Sequence, residues 1–80
     1  SGEGPLKDMK FCITGELSMP RTEFEKLIKS NGGVMVSSVS KNTSYLITNE
    51  TDSSSSKFVK AKDIGIPIIS EENLLKMIGA

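Results

Sequence analysis

An α/β fold built on a mainly parallel sheet, covered on its faces by helices, is the class this sequence predicts. Three observations point to it. Short uninterrupted apolar runs, such as Phe11-Cys12-Ile13 and Tyr45-Leu46-Ile47, suit strands buried on both sides. Between the runs lie segments whose apolar residues recur at helical spacing. Glycine, proline and serine separate them, giving the order β-α-β-β-α-β-α.

The elements follow in order. Residues 1–5, Ser-Gly-Glu-Gly-Pro, have the composition of a linker or an expression remnant, leaving 6–80 as a single domain. Leu6 to Met9 is a short approach. Lys10 to Thr14 is the first strand, broken by Gly15. Pro20 suits the first position of a helix, and Phe24, Leu27 and Ile28 form its apolar stripe. Glu23 and Glu25 precede Lys26 and Lys29 along that helix, in the sense the helix dipole favours. Asn31-Gly32-Gly33 ends it, with the glycines allowing a left-handed cap and a close helix–strand approach.

Val34-Met35-Val36 is a short second strand, Ser37 to Ser44 is polar and turn-like, and Tyr45 to Thr48 is the third strand. Asn49 to Ser56 carries four consecutive serines, a composition that cannot form a core. It reads as a solvated loop, with phosphorylation as the alternative. A serine near its end can cap a second helix running to Ile64, with Phe58, Ala61 and Ile64 inward and Gly65 as the stop. Ile66 to Ile69 is a fourth strand, placed at an edge by Pro67. Ser70 caps a last helix with Glu71 and Glu72 in its first turn and Leu74, Leu75 and Ile78 on its apolar face.

Composition narrows the function. A chain of 80 residues has room for one modest core, burying roughly 60% of its unfolded surface. Lys and Arg number 10 and Asp and Glu number 10, which argues against a broadly basic nucleic-acid binder but leaves room for a local anion site. Histidine is absent, which removes the commonest general base and metal ligand. The lone Cys12 cannot form an intrachain disulfide, so an intracellular setting is the default, and inside an apolar strand it reads as core. No apolar run approaches membrane-spanning length. These features describe a non-enzymatic module with no metal, cofactor or small-molecule substrate.

In open α/β sheets, ligands bind beyond the carboxyl ends of strands where neighbouring strands send their helices to opposite faces. Two loops leave strands for helices here: Thr14-Gly15 to Pro20-Arg21, and Thr48 to Ser56-Lys57. If strands one and three are neighbours, both loops open on one edge. That edge offers the Thr14 hydroxyl, the Gly15 N–H, two helix N-termini and the cations Arg21 and Lys57. Each part alone has an ordinary reading: strand-end satisfaction for Thr14, a tight turn for Gly15, solvated charge for Arg21 and Lys57. Lys57 is less ordinary, because a cation in the first turn of a helix opposes the dipole. Together the four suggest a phosphate site that makes and breaks no bond. No P-loop and no nucleophile–base pair accompany it.

These residues also carry a family resemblance. Met9-Lys-Phe-Cys-Ile-Thr-Gly-Glu-Leu-Ser, Gly32-Gly33 and Ser38-Val-Ser-Lys-Asn-Thr-Ser-Tyr-Leu-Ile resemble a BRCT domain, and Ser55-Ser-Lys-Phe-Val-Lys-Ala-Lys and Gly65-Ile-Pro-Ile-Ile-Ser-Glu-Glu continue it. The likeness covers residues 5–78. It is nearest to the class found in NAD-dependent DNA ligases, the large subunit of replication factor C and poly(ADP-ribose) polymerases, and the segment from Thr48 to Lys57 looks most like the ligases. The resemblance implies a three-layer fold with a four-stranded parallel sheet of order 2-1-3-4. The first and third helices would lie on one face and the second on the other. It implies that Thr14, Gly15 and Lys57 hold a phosphate, joined by Arg21 as in the replication factor C type.

The implied function is that of a non-catalytic module of a DNA replication or repair enzyme, binding DNA 5′-phosphate ends or a phosphorylated partner, and contacting other domains of its parent chain. The implied setting is nuclear in a eukaryote and cytoplasmic, at the nucleoid, in a bacterium. The loop before Arg21 is one residue shorter than in the replication factor C type. The Trp common in the third helix is missing from Glu71 to Ile78, which favours a single module over a tandem phosphopeptide reader. The alternative the resemblance implies is a protein–protein adaptor of a poly(ADP-ribose) polymerase or a replication factor C large subunit that binds no phosphate.

Overall fold

Four parallel strands, ordered second, first, third, fourth across the sheet, form the centre of the molecule. The computed structural model describes residues 4–50 and 55–79. In chain order the elements are β1 (Lys10–Ile13), α1 (Arg21–Ser30), β2 (Val34–Met35), β3 (Tyr45–Ile47), α2 (Ser56–Ile64), β4 (Ile68–Ile69) and α3 (Glu71–Met77). β1 is central: Phe11 is in register with Met35 on one side and Tyr45 on the other. The expected order 2-1-3-4 is the observed one.

Side chains alternate across the sheet, so each strand feeds two cores. Phe11, Ile13 and Ile47 pack with Leu6, Phe24, Ile28 and Leu74, which places α1 and α3 on one face. Cys12 and Leu46 pack on the other face with Val39, Phe58, Ala61 and Ile66, under α2. Cys12 is a fully buried free thiol, in keeping with a core role. Tyr45 stacks on Phe11 with ring centroids 5.7 Å apart, so its ring is used in packing.

Helix ends follow local chemistry. Pro20 is the N-cap of α1 rather than its first helical residue; its carbonyl accepts the N–H groups of Glu23 and Phe24. At the other end, Gly33 N–H donates to Ile28 O at 2.9 Å and Gly32 N–H to Lys29 O at 3.1 Å, with Gly32 at φ 93°. This paired closure is the Schellman arrangement. Ser55 and Ser70 cap α2 and α3 by accepting from Phe58 N–H and Asn73 N–H. Ser53 and Ser54 lie outside the described residues.

Ile64 and the start of β4 also depart from expectation. Ile64, placed inward by spacing, is 36% exposed, because Ile66 beyond the Gly65 cap fills the core position instead. β4 begins at Ile68 rather than Ile66; Ile66 is turned into the core and Pro67 contributes its carbonyl to Leu46 N–H. Leu6, read as part of an approach, is fully buried and anchored by its N–H on Asn31 O at 3.0 Å.

Candidate functional site

The carboxyl end of β1 is a point of divergence: α1 crosses one face of the sheet while α2, leaving the adjacent β3, crosses the other. Such a crevice is where open α/β sheets bind ligands. Thr14 continues the β1 pairing, its N–H donating to Ile47 O at 3.1 Å. The chain then turns away at Gly15, whose φ of 80° suits a residue without a side chain.

Both cations are anchored on this strand end. Arg21, the first residue of α1, donates from Nη2 to Gly15 O at 3.3 Å. Lys57, second in α2, donates from Nζ to Ile13 O at 3.5 Å. The two carbonyls belong to the residues on either side of Thr14 in sequence. The cations share a cleft of about 280 Å³ with an apolar wall of Ile13, Met35 and Val36. Glu25 and Ser37 complete its lining. The first turn of α2 carries no acidic residue, leaving Lys57 against the dipole without local compensation.

The four sequence-predicted residues therefore meet at one edge, but in two halves. Arg21 and Lys57 line the cleft, whereas Thr14 and Gly15 do not. Gly15 instead faces the loop after β3: a Cβ there would stand 2.8 Å from Glu50 Oε1 and 3.5 Å from Thr48 Oγ1. Glu50 is held in place by its N–H, which donates to Thr48 Oγ1 at 3.1 Å. Among the described residues, the Thr14 hydroxyl and the Gly15 N–H have no hydrogen-bond partner in the protein.

Sequence reasoning missed Glu71. Read as a first-turn dipole residue, it is 4% exposed. Its carboxylate accepts Ser18 N–H at 2.8 Å, Ser18 Oγ–H at 2.6 Å and Asn49 Nδ2–H at 3.0 Å. The Ser18 hydroxyl and N–H hold its carboxyl below the ordinary glutamate value; burial works against them and Asn49 adds to them. No local pattern marks such a residue, because its partners lie 53 and 22 positions away.

Among the described residues, no group of three or more His, Cys, Asp or Glu could hold a metal ion. None of their helices is long and apolar enough to cross a membrane.

Comparison with known proteins identifies the family and the fold. The family model described as the BRCA1 C Terminus (BRCT) domain matches residues 1–78. A DNA ligase of Treponema denticola is 52% identical over 75 residues, covering 92% of this chain. A DNA ligase of Rubrobacter xylanophilus is 43% identical over 76 residues, covering 95% of it. The chain spans 12% and 11% of the lengths of these ligases. Among solved structures, the BRCT1,2 region of Rad4 in complex with a Crb2 phosphopeptide superposes with a TM-score of 0.81 at 20% identity. That match covers 92% of this chain and 40% of the other. Family model, relatives and strand order agree, and the chain belongs to the BRCT family.

Proposed function

We propose that this BRCT domain is the non-catalytic binding module of an intracellular DNA ligase, and that its β1–α2 edge captures the 5′-phosphate of a DNA end. The observation that carries this reading is the anchoring of Arg21 and Lys57 on the two carbonyls that flank Thr14. Neither cation lies within ion-pair distance of a carboxylate among the described residues, where the ion pair formed is Lys76–Glu72 on α3. Two preoriented cations beside a free hydroxyl and a free N–H form a socket for phosphoryl oxygens. Arg21 offers a fork and Lys57 a point charge. With a net charge of zero, the chain as a whole offers DNA no broad cationic excess, which suits reading an end over adhering along the duplex.

Titration of 5′-phosphorylated against unphosphorylated duplex tests the reading, with a phosphoserine peptide as a third ligand. Tighter binding of the phosphorylated duplex, weakened in Lys57→Ala, is expected; equal affinities for the two duplexes would refute it. Preference for the peptide would redirect the site to a phosphorylated protein, the kind of ligand that the Rad4 structure contains.

An adaptor role has a separate observation behind it. Val34, Val59 and Ile64 are exposed at 46%, 47% and 36%, single apolar side chains that contact with another domain of a parent chain would cover. That reading predicts partner binding unchanged in Lys57→Ala.

A further inference from the structure

Glu71 joins three parts of the fold that are separate in sequence. It opens α3, yet its bonds run to Ser18 in the β1–α1 loop and to Asn49 in the β3–α2 loop. The connection to Asn49 is reciprocal, since Glu71 N–H donates to Asn49 Oδ1 at 3.1 Å. Ser18 lies midway between Gly15 and Arg21, and Asn49 adjoins Glu50, whose carboxylate lies against Gly15. Helix chemistry does not require this burial. Glu72 occupies the same first turn with its side chain 78% exposed and serves the dipole from there. Burying a carboxylate is costly unless donors surround it, and the donors here come from the segments that follow β1 and β3, the strands that lead toward the helices carrying Arg21 and Lys57.

We propose that Glu71 is a positioning residue for the phosphate site: by holding Ser18 and Asn49 it fixes the β1–α1 loop and the stretch from Thr48 to Glu50 after β3, which present Gly15, Arg21 and Glu50. The ligand half of this inference rests on the phosphate reading above; the pinning of the loops stands without it. Among the described residues, the other ties between Ile13 and α1 are the Thr14 N–H on Ile47 O, the Arg21 side chain on Gly15 O and the packing of Leu17 and Met19 against the core. Without the carboxylate, the turn at Gly15 loses its attachment to α3, and the Arg21 anchor moves with it.

Three variants of the whole domain test this: Glu71→Gln, Ser18→Ala and, as an exposed neighbour, Glu72→Gln. Amide hydrogen exchange without ligand reads the pinning, and the ratio of affinities for phosphorylated and unphosphorylated duplex reads the site. Glu71→Gln is expected to speed exchange at Ser18 in the first loop and at Glu50 in the second, whose N–H groups are hydrogen-bonded in the wild type, while leaving β1 and the interior of α1 protected. The affinity ratio should fall by about tenfold, the scale on which outer-shell orienting contacts act. Ser18→Ala should show the same pattern more weakly and keeps the test decisive if Glu71→Gln folds poorly; Glu72→Gln should show neither effect. Unchanged exchange in both loops would overturn the pinning. Faster exchange with an unchanged ratio would overturn the role in the site. A wild-type ratio of one would refute the phosphate reading and the ligand half with it, while exchange would still decide the pinning.

Discussion

Gly33 lies so close to Ile28 that a Cβ on it would stand 2.6 Å from Ile28 Cγ2, and 3.1 Å from Phe11 Cε2. This contact seats the last turn of α1 on β1, and α1 carries Arg21 at its other end. Ile28 and Phe11 are both fully buried, so neither has space to retreat. Gly33→Ala should therefore destabilise the domain by about 1–3 kcal/mol. The check is a lower urea midpoint with an unchanged slope; an unmoved midpoint would show that the turn can yield.

Glu71 gives the fold a defined acid sensitivity. Its carboxyl titrates below the ordinary glutamate value of 4.5 in the folded state, chiefly because Ser18 donates to the ionised form. Its contribution is thus complete above the unfolded value and is lost as pH falls through the lower folded one. Melting temperature followed from neutral pH down through the carboxylate range should fall more steeply in wild type than in Glu71→Gln. Parallel curves would mean that the Ser18 bonds contribute nothing specific to the ionised state.

Much of the fold was legible because it rests on local rules. Phe11-Cys12-Ile13 sends residues alternately to both cores, and the caps at Ser55 and Ser70 sit where capping chemistry puts them. The cations of the site were legible for a similar reason, since Arg21 and Lys57 each open a helix that leaves a strand. Glu71, Glu25, Ser37 and Glu50 were not. Their surroundings are set by residues distant in the chain, and no spacing rule encodes a contact between separate loops. Ile64 fell between the two cases: the helical period was right, but the Gly65 turn gave the core position to Ile66.

That difference on α2 can be measured. Phe58 is buried at 3% exposure, with the Lys62 ammonium 5.0 Å from its ring centre. Phe58→Ala should cost about 3–5 kcal/mol through cavity formation. Ile64→Ser should stay within about 0.5 kcal/mol, as surface changes do. Denaturant unfolding separates the two; a large loss in Ile64→Ser would restore it to the core.

Salt dependence isolates the Lys57 contact. If its ammonium meets a phosphate, Lys57→Ala removes one counterion-releasing contact. The slope of log K against log salt should then shrink in magnitude by about 1. Affinity of the 5′-phosphorylated duplex measured from low to physiological salt gives the slope. An unchanged slope would remove Lys57 from the interface whatever its effect on affinity at one salt concentration.

Glu50 sharpens the question of where the phosphate sits, because its carboxylate lies against Gly15 while Arg21 and Lys57 hold the other half of the edge. A phosphate reaching the Gly15 N–H would approach that negative charge. Like charges in near contact at a protein surface repel. Glu50→Gln should therefore tighten binding of the 5′-phosphorylated duplex several-fold, more at low salt than at high. An equal gain for the unphosphorylated duplex would mark Glu50 as a general repellent of DNA. No gain for either would place the phosphate over the Arg21–Lys57 cleft, away from Gly15. Combining Glu50→Gln with Lys57→Ala decides between a single phosphate bridging the halves and two independent contacts. Effects that fail to add would join the halves into one site, because only groups sharing a ligand or a neighbour couple.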